Sequence, residues 1–500
     1  MNLPITSTAT ETAPRKTGLA LTVVTTVFFM WGFVTVLNDI LVPHLKALFD
    51  LNYTQTMLIQ FTFFSAYFLM SIPSSRILAR VGYQKSIVLG LVVMGCGALL
   101  FYPAAAVKSY ALFLGALWVL ASGITLLQVA ANPYVAQLGS PESASSRLNL
   151  AQAFNSLGTT IGPYLGGLLI LSATAATADV KTVQLPYIGI AVTLFLLAFG
   201  VSRFHLPSLP DIEEHPGTAI TDSIWKHRQL ILGAIGIFVY VGAEVSIGSF
   251  LVNYFRYIDR SLSLGAAAGF VSFYWGGAMV GRFIGSEVLR EVSPGKVLGG
   301  AALGASALLC ATVASTGSVA MWTVIAVGLF NSVMFPTIFT LGIAKLGPLT
   351  AKGSSLLIMA IVGGAILPLA QGVLADSIGI HLAFLMPAIC YVYIAYFGFS
   401  RPTELNLEPA SGRERGAKRM IILVGAVIGG LVGFLLRPSV PLIGQLPFGT
   451  VITRGSNLSG LDLLLKGAAE TSCNYMLVGA LIGGAIGWIV MQQTRKAKKQ

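Results

Sequence analysis

Uncharged apolar stretches of about 20 residues, each long enough to cross a bilayer as a helix, recur along this chain. A soluble domain carries about a quarter charged residues. Here only 10% of 500 residues are charged and 55% are hydrophobic, for a mean hydropathy of +0.80. The chain is therefore expected to be an all-α polytopic membrane protein; disorder and collagen are excluded. Its 55 glycines suit helices that pack backbone to backbone in lipid, where small residues replace the missing hydrophobic drive.

Spanning runs lie near 19–42, 56–75, 86–106, 109–138, 148–172 and 184–203, and again near 229–255, 263–288, 296–315, 318–344, 353–375 and 381–400. A polar stretch with Pro207, Pro210, Asp211, Glu213, Glu214 and Pro216 separates the two sets. The expected domains are a six-helix bundle over 18–203, a linker over 204–228 and a second six-helix bundle over 229–400. The remainder, 401–500, reads as a linker and an extra hairpin, with runs near 420–436 and 473–491 that bring the expected helices to fourteen. Those two runs have glycine-rich faces suited to helix contact, and the hairpin is expected to serve folding or oligomerisation.

Placement of positive charge tests this order. With the N-terminus inside, about 23 of the 31 Lys and Arg fall on the inner side. Arg282 and Arg290 are counted there with Arg76, Arg80, Lys85, Arg147 and Lys345. Both termini and the central linker are then cytoplasmic, and the net charge of +12 reports topology, not nucleic acid. Residues 1–17 lack an apolar core, so no cleavable signal is expected.

Absent motifs narrow the chemistry. Cys96, Cys310, Cys390 and Cys473 are far apart, with no metal spacing. All five histidines sit in loops or at span ends, and HExxH, GxSxG and GxxxxGK[ST] do not occur. An intramembrane enzyme or an ATP-driven pump is not expected, nor is a cofactor.

Two acids, Asp39 and Glu244, fall inside apolar spans. A carboxylate at membrane depth is costly unless paired, protonated or facing a water-filled cavity, so it marks a substrate or ion path. Asp39 could instead be a helix-end group near Pro43. Asn38, Gln60, Gln128, Asn132, Gln152, Asn155 and Asn331 are also within spans. Amides donate and accept together, which matches sugar hydroxyls, although interhelical hydrogen bonding explains about half of such groups. Gln152 and Asn155, three apart, share a helical face. Tyr274 and Trp275 could stack on a sugar ring or simply pack.

The strings WGFVTVLNDILVPHLK at Trp31–Lys46, QVAANPYVAQLG at Gln128–Gly139, RLNLAQAFNSLGTTIGPYLGG at Arg147–Gly167, YVGAEVSIGSFLVNYF at Tyr240–Phe255, GRFIG at Gly281–Gly285 and FPTIFTLGIAKLG at Phe335–Gly347 carry a resemblance. Over about residues 18–400 the chain resembles the fucose:proton symporter family of the major facilitator superfamily, especially its glucose/galactose branch. That resemblance implies two bundles rocking about a midplane site and cation-coupled hexose import at the plasma membrane, for a bacterium the inner membrane. It also implies that Asp39 is the coupling carboxylate, with Asn38 and Gln128 beside it. Gln152 and Asn155 match sugar-cavity amides of that family, and Gln60, Gln128, Glu244, Tyr274, Trp275 and Asn331 are expected sugar contacts from their place in the spans. The fucose symporter has a Glu where this chain has Gln128, which cannot titrate. Sodium is therefore favoured over a proton as coupling ion, and Asp39 is a candidate sodium site. The loop motif after the second helix is degraded at Ala79 but keeps Arg80, Gly82 and Lys85. Alternatives are a proton-coupled fucose-type symporter, a facilitative uniporter and, from another class, a sugar-sensing receptor. Oligomerisation is not required.

Overall fold

Lipid offers no partner for a backbone N–H or C=O, so apolar runs that enter a bilayer satisfy these groups internally, as helices. The computed structural model describes residues 14–49, 53–166, 181–204, 206–207, 223–262, 264–400, 446, 450–451, 465–474 and 476. The chain divides into two compact units, Met1–Leu405 and Asn406–Gln500.

Among the described residues, the first unit is built of helices joined by short turns. Its helices are α1 (Pro14–Phe49), α2 (Tyr53–Val107), α3 (Tyr110–Gln137), α4 (Ala144–Gly166), α5 (Lys181–Arg203), α6 (Arg228–Ile258) and α7 (Leu264–Glu291). They continue with α8 (Pro294–Ala314), α9 (Gly317–Asn331), α10 (Met334–Ile343), α11 (Thr350–Met359), α12 (Gly363–Ile378) and α13 (Leu385–Phe399). Nine candidate spans among the described residues are long and apolar enough to cross a membrane. One of them covers both arms of α2, and α4 and α7 are of spanning length but more polar.

Three departures from the expected runs have local causes. The second and third runs join without a loop, because Gly82 takes φ 78° and ψ 175° and turns the chain within α2. That conformation is open to glycine and strained for other residues. The tenth run breaks into α9 and α10 at Ser332–Val333, since Pro336 has no N–H to donate back to Ser332. The eleventh breaks at a 3-10 turn, Ala360–Val362, where α12 meets α6 at close range.

Helix α4 lies on α1, α2 on α3 and α5, α6 on α10, α12 and α13, and α8 on α13. The α1–α4 seam is tight: Gly158 faces the Phe29 carbonyl and Gly32 the Asn155 carbonyl, each leaving no room for a Cβ. Large apolar side chains such as Phe61, Phe199, Val373 and Ile389 point outward, as expected of a surface solvated by lipid.

Little of the second unit is described. Residues 466–474 are helical, starting ahead of the expected 473–491 run, and the run near 420–436 lies outside the described residues.

Candidate functional site

Polar side chains in the first unit gather into two clusters joined by one arginine. In the first, Gln128 of α3 donates from Nε2 to the Tyr67 hydroxyl of α2 at 2.8 Å. One turn further along α3, Asn132 is fully buried, and neither amide atom has a partner. On α4, Gln152 is 5% exposed and its Nε2 is also unpartnered, whereas Asn155 donates to the Phe28 carbonyl of α1 at 3.0 Å. A buried amide left open costs about 1–3 kcal/mol, and native structures keep such groups where water or a ligand completes them. Asn155 is thereby committed to the α1–α4 seam, while Gln152 and Asn132 hold capacity in reserve. Gln60 is exposed, on the α2 face that also carries Phe64 and Tyr67.

The second cluster centres on Glu244 of α6. Its Oε1 lies 2.8 Å from the Tyr240 hydroxyl, one turn back on the same helix. The Tyr240 hydroxyl is also 3.0 Å from the Asn331 carbonyl, the last residue of α9. The Asn331 side chain donates to the Tyr274 hydroxyl of α7 at 2.7 Å, and Tyr274 in turn reaches the Glu244 carbonyl at 3.4 Å. Asn331 Oδ1 and the Tyr391 hydroxyl of α13 are buried without partners. Trp275 is 43% exposed, edge-on to Tyr274 and against Gly248, one turn beyond Glu244 on α6.

Arg282 of α7 links the clusters. Its guanidinium donates to Ser156 of α4, its carbonyl accepts from Asn149 at 2.7 Å, and its charge acts on Glu244. Asn149, Gln152 and Ser156 lie on one face of α4, so Gln152 sits between two residues that hold Arg282. The sequence reading counted Arg282 among the topology charges. It stands nine residues before the end of α7, inside the bundle. An arginine that deep in an apolar helix was the available signal; Asn149 and Ser156 carry none of their own in the sequence.

Beyond Arg282, toward the end that carries the Pro141–Ser143 and Gly347–Leu349 turns, α3 and α4 meet α7, α10 and α11. Ser145 and Thr340 hydroxyls are 2.6 Å apart, and Ser146 donates to the Ser286 carbonyl at 2.6 Å. Ser354 donates to the Val129 carbonyl at 2.9 Å, and Gln137 to Thr350 at 3.3 Å. Arg147 closes the C-terminus of α3, donating to the carbonyls of Ala136, Val135 and Ser140 and to the Ser143 hydroxyl.

Of the expected site residues, the structure brings Gln128 to Tyr67, and Glu244 to Tyr274 and Asn331. Asn38 and Asp39 fall in α1, but their side chains lie outside the described residues.

Apolar helices around two polar clusters fit a multi-pass membrane transporter. The chain belongs to the Major Facilitator Superfamily, whose family description matches residues 19–360. It is 58% identical over 398 residues to a glucose/galactose transporter of Brucella abortus, covering 78% of this chain and 96% of that protein. It is 35% identical over 408 residues to the L-fucose-proton symporter of Escherichia coli, covering 76% and 92%. Among solved structures, a transporter of this superfamily, FucP, in the outward conformation, superposes with a TM-score of 0.72 at 32% identity, over 78% of this chain and all of that one.

Proposed function

We propose that the chain imports a hexose, glucose or galactose, by symport with a monovalent cation through alternating access. The observation that carries this reading is the open amide of Gln152, buried between the two residues of α4 that grip Arg282. It supplies an unsatisfied donor at the junction of the two polar clusters, where a sugar hydroxyl completes it. Gln128 with Tyr67, Asn132 and Gln60 add polar contacts from one side, and Asn331 and the exposed face of Trp275 from the other. The names of the relatives support the substrate, and the fucose-proton symporters support a coupling ion.

The positive charge bias supports a cytoplasmic location for both termini and for the end with Arg147 and Lys345, and the bacterial relatives support an inner membrane. The hydrogen bonds among α3, α4, α7, α10 and α11 then close the cytoplasmic side, and the chain stands outward-facing. Bundles over 18–203 and 229–400 rock about the site, with 204–228 as their linker. Residues 401–500 add a two-helix hairpin, for fourteen helices in all. Asp39 is the coupling carboxylate; sodium, favoured by Gln128, and the proton are its candidate ions.

The test is uptake of labelled glucose into proteoliposomes under separately imposed sodium and proton gradients, with galactose and fucose as competitors. Accumulation driven by one gradient supports symport and names the ion. Equilibration without accumulation removes coupling, and no saturable uptake removes the substrate.

A further inference from the structure

We propose that Glu244 carries a proton in the transport cycle, held by Tyr240 and released by a change of partner at the end of α9. The proposal rests on the hexose-symport reading and deepens it.

The argument is an inventory of hydrogens. A tyrosine hydroxyl has one O–H to give, yet Tyr240 stands at bonding distance from two oxygens, Glu244 Oε1 at 2.8 Å and the Asn331 carbonyl at 3.0 Å. If Glu244 is ionised, both are pure acceptors and one is left without a hydrogen. If Glu244 is protonated, its O–H donates to Tyr240 and Tyr240 donates to Asn331, so every hydrogen has one acceptor. Tyr274 cannot fill the gap, because its hydroxyl accepts from Asn331 Nδ2 and gives its own hydrogen to the Glu244 carbonyl. Arg282, the cation acting on Glu244, makes its side-chain hydrogen bond to Ser156 across the helix interface and makes none to Glu244. The neutral acid gives the Tyr240 hydroxyl and the Asn331 carbonyl one hydrogen each, which the carboxylate does not.

The other groups facing Glu244 do not compete for the proton. From α7 come Tyr274 and Arg282, and from α13 comes Tyr391, with Cys390 beside it. From α9 comes only the neutral Asn331. Among the described residues of α10, α11 and α12, the charged groups are Lys352 and Asp376, both exposed.

The step balances simply. From the outside, hydronium gives a proton to Oε1, forming the carboxyl O–H and leaving water; on the inside, water takes it back. On loss of the proton the Tyr240 hydrogen turns to the carboxylate and drops the Asn331 carbonyl. That carbonyl ends α9 at the Ser332–Val333 break, the point where the tenth crossing is least held by its own backbone. Protonation is thereby tied to the geometry of a broken helix that also touches α4 through Thr340.

Two measurements on purified full-length protein test the proposal. The first is the pH difference infrared spectrum of wild type, Glu244→Gln and Tyr240→Phe without sugar. We expect a neutral carboxyl C=O band that disappears as pH rises, is absent in Glu244→Gln and is displaced in Tyr240→Phe. The second is glucose affinity against pH. Wild type should weaken about tenfold per pH unit above the titration, the slope of one linked proton, while Glu244→Gln keeps the low-pH affinity throughout. A band that persists in Glu244→Gln, or never titrates, overturns the proposal. So does a Glu244→Gln protein with an unchanged unfolding temperature that binds no glucose at any pH, which would make Glu244 a sugar contact. A wild-type protein whose band titrates but which binds neither glucose nor galactose overturns the hexose reading and leaves the proton site standing.

Discussion

Replacing Gly363 with alanine should separate α12 from α6, and the size of the effect follows from the structure. A Cβ at this position would stand 2.0 Å from the Phe238 carbonyl oxygen and 2.7 Å from its carbon. Ordinary contact begins at 3.4 Å, so the helices must part by more than roughly 1 Å, and neither obstacle is a side chain that can swing away. Overpacking of this kind costs about 1–3 kcal/mol, partly offset by the roughly 1 kcal/mol that alanine gains over glycine in a helix. Gly300 of α8 provides the control, because nothing lies within 4 Å of its Cβ position. There only the helix-propensity gain operates. Thermal unfolding in detergent should show Gly363→Ala lowered by a few degrees and Gly300→Ala unchanged or raised. Equal unfolding temperatures for the two variants would refute the claim that α6 and α12 are in backbone contact.

Three further outcomes are expected. Asp39→Asn should abolish accumulation of sugar against a gradient while exchange across proteoliposomes partly survives; accumulation by that variant would remove Asp39 from coupling. Gln152→Ala should raise the apparent KM for sugar, and an unchanged KM in uptake assays would make Gln152 a packing residue. Arg147→Met leaves the last carbonyls of α3 without their donors and should lower stability on the order of 2–4 kcal/mol, read from the unfolding temperature. Arg147→Lys should recover only part, because an ammonium cannot reproduce the guanidinium fork.

Element placement was legible because each crossing is a long apolar run, and lipid permits few alternatives to a helix. The runs at 109–138 and 184–203, for example, correspond to α3 and α5. The turn at Gly82 and the broken tenth and eleventh crossings were not legible, because hydropathy does not register a single φ angle or a missing N–H. For the site, a polar residue in an apolar span singled out Glu244, Gln128 and Gln152, which the structure places in the two polar clusters. It could not separate Asn155, whose amide is spent on the Phe28 carbonyl, from Gln152, whose amide is free. The Ser156 hydroxyl was not legible because serine is common in helices, and its partner Arg282 lies on another helix, far along the chain.

The contacts that close α3 and α4 onto α7, α10 and α11 are hydroxyls, amides and carbonyls, with Arg282 contributing the one charge, which acts on Glu244 away from these contacts. Neutral hydrogen bonds contribute about 0.5–1.5 kcal/mol each, net of water, so such a closure is worth a few kcal/mol in all. Moving one charge through a 100 mV potential supplies about 2.3 kcal/mol. The clasp is thus of the same order as the driving force a bacterial membrane offers for a single ion, and it is insensitive to ionic strength because almost none of it is Coulombic. A carrier fastened this way can cycle in dilute or salty surroundings alike, whereas one fastened by ion pairs would turn over at a rate set by its medium.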